Sequence, residues 1–285
     1  MINFLEKLNP NFIEIGNFQI KWYAVCILIG VAICYLTVVK LFKRDGYKQD
    51  VVDTALLIVL PAGILGARLW WVISEFESLN HWYEAFFIWQ GGLAVQGGVV
   101  LGLLAGVWYF RKFHKDINVL YAIDMIVPNI LIAQVAGRWG NFFNQEVYGS
   151  CVDPEKMKWL PAFIREQMMG NGTIHCPVTE MAQPLFLYES ICNLIGWVVI
   201  VFVLPKFWKK GRKNGDLGCL YFVWYGIVRV IMEPLRHPEF IMQMGNIRTS
   251  VMTSILFIVA GVLGIVALRV VPLVIEKIKA KKAHN

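Results

Sequence analysis

Long apolar segments alternate with short polar segments along most of the chain. The apolar segments fall at about 19–42, 52–75, 93–110, 119–136, 185–205, 217–235 and 250–275. Each can cross about 30 Å of hydrocarbon as a helix, because an α-helix rises about 1.5 Å per residue. The pattern therefore predicts an all-α polytopic membrane protein with about seven transmembrane helices.

Basic residues mark alternate ends of these segments. The clusters are Lys43, Arg44 and Lys48; Arg111, Lys112 and Lys115; Lys206 to Lys213; and Lys277 to Lys282. Lys and Arg concentrate in cytoplasmic loops, so these ends are predicted to face the cytoplasm. The N-terminus is then expected outside and the C-terminus in the cytoplasm. Topology explains the net charge of +7, and no nucleic acid partner is expected.

Composition supports the membrane assignment. Apolar residues make up 57% of the chain and the mean hydropathy is +0.55, far more apolar than a soluble domain requires. No internal repeat or soluble second domain is evident, so residues 1–285 are predicted to form one integral membrane domain. The polar segment 150–183 is long enough to form a small extracytoplasmic head within it.

Six cysteines are scattered along the chain without C-x-x-C spacing. Four lie in or beside apolar segments, where cysteine usually packs as a small apolar residue: Cys26, Cys34, Cys192 and Cys219. Cys151 and Cys176 share the polar segment 150–183 and would pair if that segment faces an oxidising compartment. The sequence does not decide between a Cys151–Cys176 disulfide and two free thiols.

A stretch rich in both polar and aromatic residues follows the fourth apolar segment. It reads GRWGNFFNQEVYG over residues 137–149. Its polar side chains include Arg138, Asn141, Asn144 and Glu146. The aromatic rings suit a membrane interface, and the polar groups supply converging donors and acceptors, so we interpret the stretch as a polar pocket at one membrane face. The alternative is a re-entrant or capping loop whose polar groups satisfy only its own backbone.

Ionisable side chains also fall within or at the edge of the predicted helices, namely Arg68, Arg229, Glu233 and Arg236. A charge at a helix centre costs about 2.5–3.5 kcal/mol, so each needs a partner or a function. Arg229, Glu233 and Arg236 have the spacing of one helix face, with a kink expected at Pro234. We interpret them as part of a cationic pocket for an anionic head group. The alternative is a buried Arg229–Glu233 ion pair that only positions helices.

The stretch at 137–149 resembles the sequence that marks the prolipoprotein diacylglyceryl transferase family. The pattern G-R-x-G-N-F-x-N-x-E-x-x-G is met by Gly137, Arg138, Gly140, Asn141, Phe142, Asn144, Glu146 and Gly149. Further blocks that resemble the family are Lys21-Trp22-Tyr23, Gly66-Ala67-Arg68, Pro184 with Phe186 to Ser190, and Tyr225-Gly226 followed by Arg229, Glu233, Arg236 and Pro238. The resemblance runs from about Trp22 to about Ser250.

The resemblance implies an enzyme of the bacterial cytoplasmic membrane that moves the sn-1,2-diacylglyceryl group of phosphatidylglycerol to the lipobox cysteine of a prolipoprotein. The products are a thioether and glycerol 1-phosphate. The residues expected to act in catalysis are Arg138, Arg229, Glu146 and Glu233. Those expected to bind phosphatidylglycerol are Arg138, Asn141, Tyr23, Gln96, Gly98, Gly149, Arg236 and Arg68. A guanidinium fork matches phosphate bidentately, which favours Arg138 and Arg229 as phosphate ligands.

Gln96 departs from the family pattern. In the glycine-rich block GGLAVQGG the family often has a histidine before the last glycine pair, and glutamine cannot take up a proton near neutral pH. The group that deprotonates the substrate thiol is therefore left open between Glu146 and Glu233. A third alternative is that no dedicated base is needed, because neighbouring arginines favour the thiolate.

Other reaction classes lack their motifs. Neither H-E-x-x-H nor G-x-S-x-G occurs, so a metalloprotease and a serine hydrolase are disfavoured, and no metal or cofactor is expected. The expected partners are phosphatidylglycerol, lipobox-containing prolipoproteins and the lipid bilayer. The alternative function is a multi-pass transporter or binding protein for an anionic lipid, although the inverted repeats of many transporters are not evident.

Overall fold

The computed structural model describes residues 8–16, 18–76, 81–87, 92, 94–241, 243–244 and 247–283. Its α-helices are α1 Trp22–Arg44, α2 Gln49–Ser74, α3 Val95–Phe113, α4 Val119–Ile126, α5 Ile130–Asn144, α6 Ala162–Gln167, α7 Leu185–Trp197, α8 Leu204–Phe207, α9 Asp216–Met232 and α10 Thr249–Ala283. Short antiparallel pairs join β1 Asn11–Ile15 to β2 Phe18–Lys21, β3 Cys151–Val152 to β4 Met181–Ala182, and β5 Gln243–Met244 to β6 Ile247–Arg248. The predicted all-α class is confirmed.

Within the described ranges, six helical segments are long and apolar enough to cross a membrane. They are Trp22–Arg44, Gln49–Ser74, Val119–Asn144, Leu185–Phe207, Asp216–Leu235 and Thr249–Glu276. The polytopic prediction is therefore confirmed, with one span fewer by this measure than the seven expected. The difference is α3, which forms at the third apolar segment but includes Gln96 and ends near Arg111 and Lys112, so its 19 residues are less apolar.

The chain folds into two compact units, residues 1–34 with 124–285 and residues 35–123. In the second unit, α2 and α3 pack along a row of glycines. A Cβ on Gly66 would overlap the carbonyl oxygen of Gly97, and a Cβ on Gly98 would lie 3.1 Å from the carbonyl oxygen of Gly63. Small residues allow such close approach of membrane helices. Part of the glycine-rich block thus serves helix packing.

In the first unit, α7 contacts both α5 and α9, and α10 packs along α9. A Cβ on Gly226 would lie 2.6 Å from the carbonyl oxygen of Ser254, so α9 and α10 are in close backbone contact. Trp197, at the end of α7, donates through Nε1 to Asn129 Oδ1 just before α5, at 2.8 Å. These contacts fix the helices that carry the charged residues of the first unit.

The polar segment 150–183 contributes to an apolar core that also contains Phe142, Tyr148 and Phe186. β3 pairs with β4, and the buried side chains of this core include Leu160, Ile164, Met168, Ile174 and Met181. Cys151 and Cys176 form a disulfide within it, which decides between the two alternatives left open by the sequence. The other four cysteines are free thiols.

Candidate functional site

Most of the predicted site residues of the first unit lie in the last turns of α5 and α9 or just after these helices end. Gln145 closes α5 in a left-handed conformation with φ 54°, and its N–H bonds back to the carbonyl oxygens of Asn141 and Phe142. Caps of this kind are common at helix C-termini. The cap turns the chain sharply, so the residues after α5 lie beside the last turn of the helix and not beyond it.

Arg229, Glu233 and Arg236 are expected on one helix face with a kink at Pro234; the break at Pro234 is present, but Arg236 lies beyond the helix. Pro234 lacks an N–H donor and its ring crowds the preceding turn, so the α-helix stops at Met232. A 3-10 turn follows, and Arg236 comes after it in an extended conformation. Its side chain nevertheless reaches the carboxylates that Arg229 uses.

Glu189, on α7, is the carboxylate that three arginines share. Its Oε2 lies 2.5 Å from Nε of Arg138. Its Oε1 lies 3.2 Å from Nη1 of Arg229 and 3.5 Å from Nη2 of Arg236. The side chain is fully buried, where an ionised carboxylate is stable only with well-placed charged partners.

Glu233 supplies a second carboxylate. Its Oε2 lies 3.4 Å from Nη2 of Arg229 and 3.6 Å from Nε of Arg236. Its buried Oε1 has no hydrogen-bond partner among the described residues, and the same is true of Nε of Arg236. The Arg229–Glu233 pair considered from the sequence therefore exists as part of a larger group. We call Arg138, Arg229, Arg236, Glu189 and Glu233 the arginine cluster.

The arginine cluster holds three guanidinium groups and two carboxylates, an excess of one positive charge. Burial, followed by the nearby charge of Arg229, lowers the pKa of Arg236, which lies beyond the end of α9. Arg138 is the most accessible of the three, with 21% of its side chain exposed against 11% for Arg229 and 9% for Arg236. Excess positive charge with one accessible guanidinium suits an anionic ligand.

Asn141 connects the arginine cluster to Glu146. Nη1 of Arg138 donates to Asn141 Oδ1 at 3.3 Å, and Asn141 Nδ2 donates to Glu146 Oε1 at 3.0 Å. Asn144 Nδ2 donates to the same oxygen at 3.3 Å. Glu146 makes no ion pair within the described ranges. Two amides thus orient its carboxylate, and Oε2 is the oxygen that they do not occupy.

Gly140 lets α5 and α1 meet at Tyr23. A Cβ on Gly140 would lie 2.6 Å from the Tyr23 ring, so only glycine fits without movement of that ring. The structure therefore places Tyr23 beside the residues of the 137–149 stretch.

Gly149 lies where three segments of the chain meet. Its N–H donates to the carbonyl oxygen of Gln183 at 3.0 Å, and it forms a bridge with Arg236. A Cβ on Gly149 would lie 2.8 Å from the Gln183 side chain and 2.9 Å from the carbonyl oxygen of Leu235. Gly149 thus makes room for the segment that carries Arg236.

Comparison with known proteins identifies the family. The prolipoprotein diacylglyceryl transferase family model matches residues 10–267. The phosphatidylglycerol–prolipoprotein diacylglyceryl transferase of Streptococcus suis is 39% identical over 274 residues, 94% of this chain and 96% of its own. Its Streptococcus pneumoniae counterpart is 39% identical over 258 residues, 90% of this chain and 92% of its own. This chain belongs to the prolipoprotein diacylglyceryl transferase family.

Arg68, the second-helix arginine of the family resemblance, lies in the second unit. Its Nε donates to the carbonyl oxygen of Ala85 at 2.8 Å, and its Nη1 donates to that of Gly92 at 3.0 Å. Its Nη2 donates to the carbonyl oxygen of Glu84 at 2.5 Å, and the guanidinium lies 4.5 Å from the Trp71 ring centroid. These contacts tie the segment before α3 to α2.

Gln96 and Gly98 also belong to the second unit, in the first turn of α3. The Gln96 side chain lies outside the described part of the structure, so its expected contact with lipid stays a prediction. Gly98 faces the backbone of α2 at Gly63. Across the described ranges, no group of three or more His, Cys, Asp or Glu side chains is arranged to hold a metal ion.

Glu189 is the member of the arginine cluster that the sequence reasoning missed. It falls inside the apolar segment 185–205 and inside the block Phe186 to Ser190 that resembles the family. A carboxylate within a membrane-crossing helix is costly and needs a named partner. The same rule singled out Arg68 in the sequence, and it would also have marked Glu189 as a candidate site residue.

Proposed function

We propose that the chain transfers the sn-1,2-diacylglyceryl group of phosphatidylglycerol to the lipobox cysteine of prolipoproteins. The observation that carries the proposal is the arginine cluster, with its excess positive charge and its accessible Arg138, in a member of this family. In the reaction the substrate thiolate attacks the C3 methylene carbon of the diacylglyceryl group. A carbon–sulfur bond forms, the bond from that carbon to the phosphate oxygen breaks, and glycerol 1-phosphate leaves.

Arg138 and Arg229 are the proposed phosphate ligands. Negative charge grows on the phosphate as the carbon–oxygen bond breaks, and donors positioned in advance stabilise that charge. Glu189 holds Nε of Arg138 and Nη1 of Arg229, which orients both guanidinium groups and leaves further N–H groups for the phosphate. Nε of Arg236, which has no hydrogen-bond partner among the described residues, offers another donor from the same cluster.

Glu146 is the proposed acceptor of the thiol proton, because the thiolate is the attacking species. Its Oε1 is held by Asn141 and Asn144, which leaves Oε2 for the substrate. Glu233 is the second candidate through its unpartnered Oε1, although its Oε2 already faces two arginines. If Glu146 is the base, raising the pH should restore part of the rate of Glu146→Gln, since the thiolate then forms in solution. No recovery with pH would favour Glu233.

The protein is a multi-pass membrane protein of a bacterial family. For its orientation in the cytoplasmic membrane, we propose an outside N-terminus and a cytoplasmic C-terminus. Support comes from the basic last turns of α1 and α3, and the orientation requires α3 to cross as a seventh helix. The ends of α5 and α9 then open toward the outer leaflet, where a secreted precursor presents its cysteine. Labelling of a cysteine placed in the tail 277–282 by an impermeant reagent on intact cells would refute this orientation.

Purified protein, phosphatidylglycerol and a lipobox peptide test the function directly. We expect stoichiometric release of glycerol phosphate and a peptide mass raised by one diacylglyceryl group. Movement of intact phosphatidylglycerol between vesicles, without glycerol phosphate release, would instead support the alternative of an anionic lipid transporter. Gln96, Gly98 and Arg68 stay sequence-based assignments for lipid contact, and two of them are tested by the variants below.

A further inference from the structure

Val147 has an unusual backbone conformation between the site and the polar segment 150–183. Its φ is 54°, a left-handed value that β-branched residues rarely adopt. Such strain persists only where the surroundings hold the residue firmly, and it concentrates at functional sites. On one side, Glu146 is held by the amides of Asn141 and Asn144. On the other side, Tyr148 is held by the hydrogen bonds of its hydroxyl group.

The Tyr148 hydroxyl joins three segments of the chain. It donates to Glu239 Oε2 at 3.3 Å and accepts from the backbone N–H of His175 at 2.8 Å. Nδ1 of His175 lies 2.7 Å from the same Glu239 oxygen, and His175 directly precedes the disulfide-bonded Cys176. The Tyr148 ring is buried, and burial raises the pKa of Tyr148, so the hydroxyl stays protonated as a donor near neutral pH.

The segment that carries Arg236 is paired through backbone hydrogen bonds with residues 148–150, which precede β3. His237 donates its N–H to the Tyr148 carbonyl oxygen at 3.1 Å, and Ser150 donates its N–H to the Leu235 carbonyl oxygen at 2.9 Å. The other two guanidinium groups of the arginine cluster project from α5 and α9. Arg138 and Arg229 are therefore positioned by helices, whereas Arg236 is positioned by contacts between loops.

We propose that Tyr148 and Glu239 are positioning residues that hold Arg236 in the arginine cluster during diacylglyceryl transfer. The inference rests on the proposed function. The hydroxyl–carboxylate bond fixes the turn that follows His237, and the backbone pairing passes that constraint to Arg236. Correct placement of a guanidinium matters most when charge grows on the leaving phosphate, so loss of the bond lowers kcat more than it raises KM.

Tyr148→Phe removes the hydroxyl and keeps the ring, including its edge contact with Phe240. We expect kcat to fall about 3- to 10-fold, the range for one lost hydrogen bond, with KM for phosphatidylglycerol changed less than about 2-fold. Glu239→Leu should give the same pattern, and Glu239→Gln, which keeps an acceptor oxygen, should recover most of the rate. Glu155→Gln is the matched control, because Glu155 is an exposed carboxylate that pairs with Lys158 in the polar segment 150–183. It should keep the wild-type kcat.

A double variant separates positioning of Arg236 from general packing. In an Arg236→Lys background, Tyr148→Phe should lower kcat by less than about 2-fold, because residues that act through one another are not additive. Additive losses, or a wild-type kcat in both Tyr148→Phe and Glu239→Leu, would overturn the inference. Rates are taken per folded molecule, and Glu239, which is more exposed than Tyr148, keeps the test valid if Tyr148→Phe folds poorly. Absence of transfer by the wild-type protein would refute the proposed function instead.

Discussion

Arg68 and the arginine cluster are both largely buried in a protein with membrane-crossing helices, but their charges are satisfied differently. Arg68 donates to three backbone carbonyl oxygens. In the arginine cluster the guanidinium groups face the carboxylates of Glu189 and Glu233, and two buried polar atoms have no hydrogen-bond partner among the described residues. A guanidinium bound to carbonyls shapes the backbone, whereas guanidinium groups that share carboxylates keep donors for an exchangeable anion. The type of partner, more than burial, distinguishes a structural arginine from a ligand site.

The largest effect is expected from Glu189→Gln, which removes the charge that the arginine cluster shares. Breaking a buried ion-pair network costs about 3–5 kcal/mol, because the remaining charges stay buried without compensation. The thermal unfolding midpoint in detergent should fall and transfer to the lipobox peptide should be lost. A variant with wild-type stability and rate would show that the three arginines do not need this carboxylate.

Arg138→Lys should come next, with transfer reduced about 100-fold or more while the protein stays inserted and folded. Lysine keeps the charge but loses the planar fork that matches phosphate. Arg269→Lys is the matched control, because Arg269 makes a bidentate pair with Asp216 at 2.8 and 3.1 Å outside the arginine cluster. If folded Arg138→Lys retained most of its activity, Arg138 would be a charge anchor and not a bidentate phosphate ligand.

Substitution of Gln96 tests the sequence-based expectation that this residue contacts the lipid. Gln96→Leu should lower the transfer rate about 10-fold, because an unpaired polar ligand group costs about 1–3 kcal/mol. Gln96→His should retain substantial activity, since histidine can also donate and accept. Rates are measured at several pH values. Equal transfer rates for wild type and Gln96→Leu would show that Gln96 only fills space. A higher rate in Gln96→His that newly depends on pH near 6–7 would show that the reaction can use a base at this position.

The smallest effect on chemistry is expected from Arg68→Lys. The three donors of an ammonium sit on one nitrogen and cannot reach the three carbonyl oxygens that Arg68 contacts from three separate nitrogens, so the unfolding midpoint should fall. The transfer rate per folded molecule should change much less than in Arg138→Lys. A loss of rate as large as that of Arg138→Lys, without loss of stability, would place Arg68 with the ligand-binding arginines and contradict its assignment as a structural arginine.

Local sequence accounts for much of this protein. A helix that crosses lipid must satisfy its own backbone and present apolar side chains, so its position can be predicted from a continuous apolar segment. The 137–149 stretch marked a candidate site and resembled the family that the comparisons show, because its polar residues are close together in sequence. Cys151 and Cys176 could be named as a pair, but their bonding depends on how the segment between them folds.

The partners of each charge were decided only by the tertiary structure. Glu189 lies 40 residues from Arg229 and 47 from Arg236, and no local period relates them. Whether they meet depends on which faces of α5, α7 and α9 pack together, and on the helix end that Pro234 imposes. The same is true of Arg68, whose carbonyl partners are brought to it by the fold around α2 and α3. The sequence by itself determined the helices and the charged residues they carry, while long-range packing determined which charges neutralise one another and which remain available for a ligand.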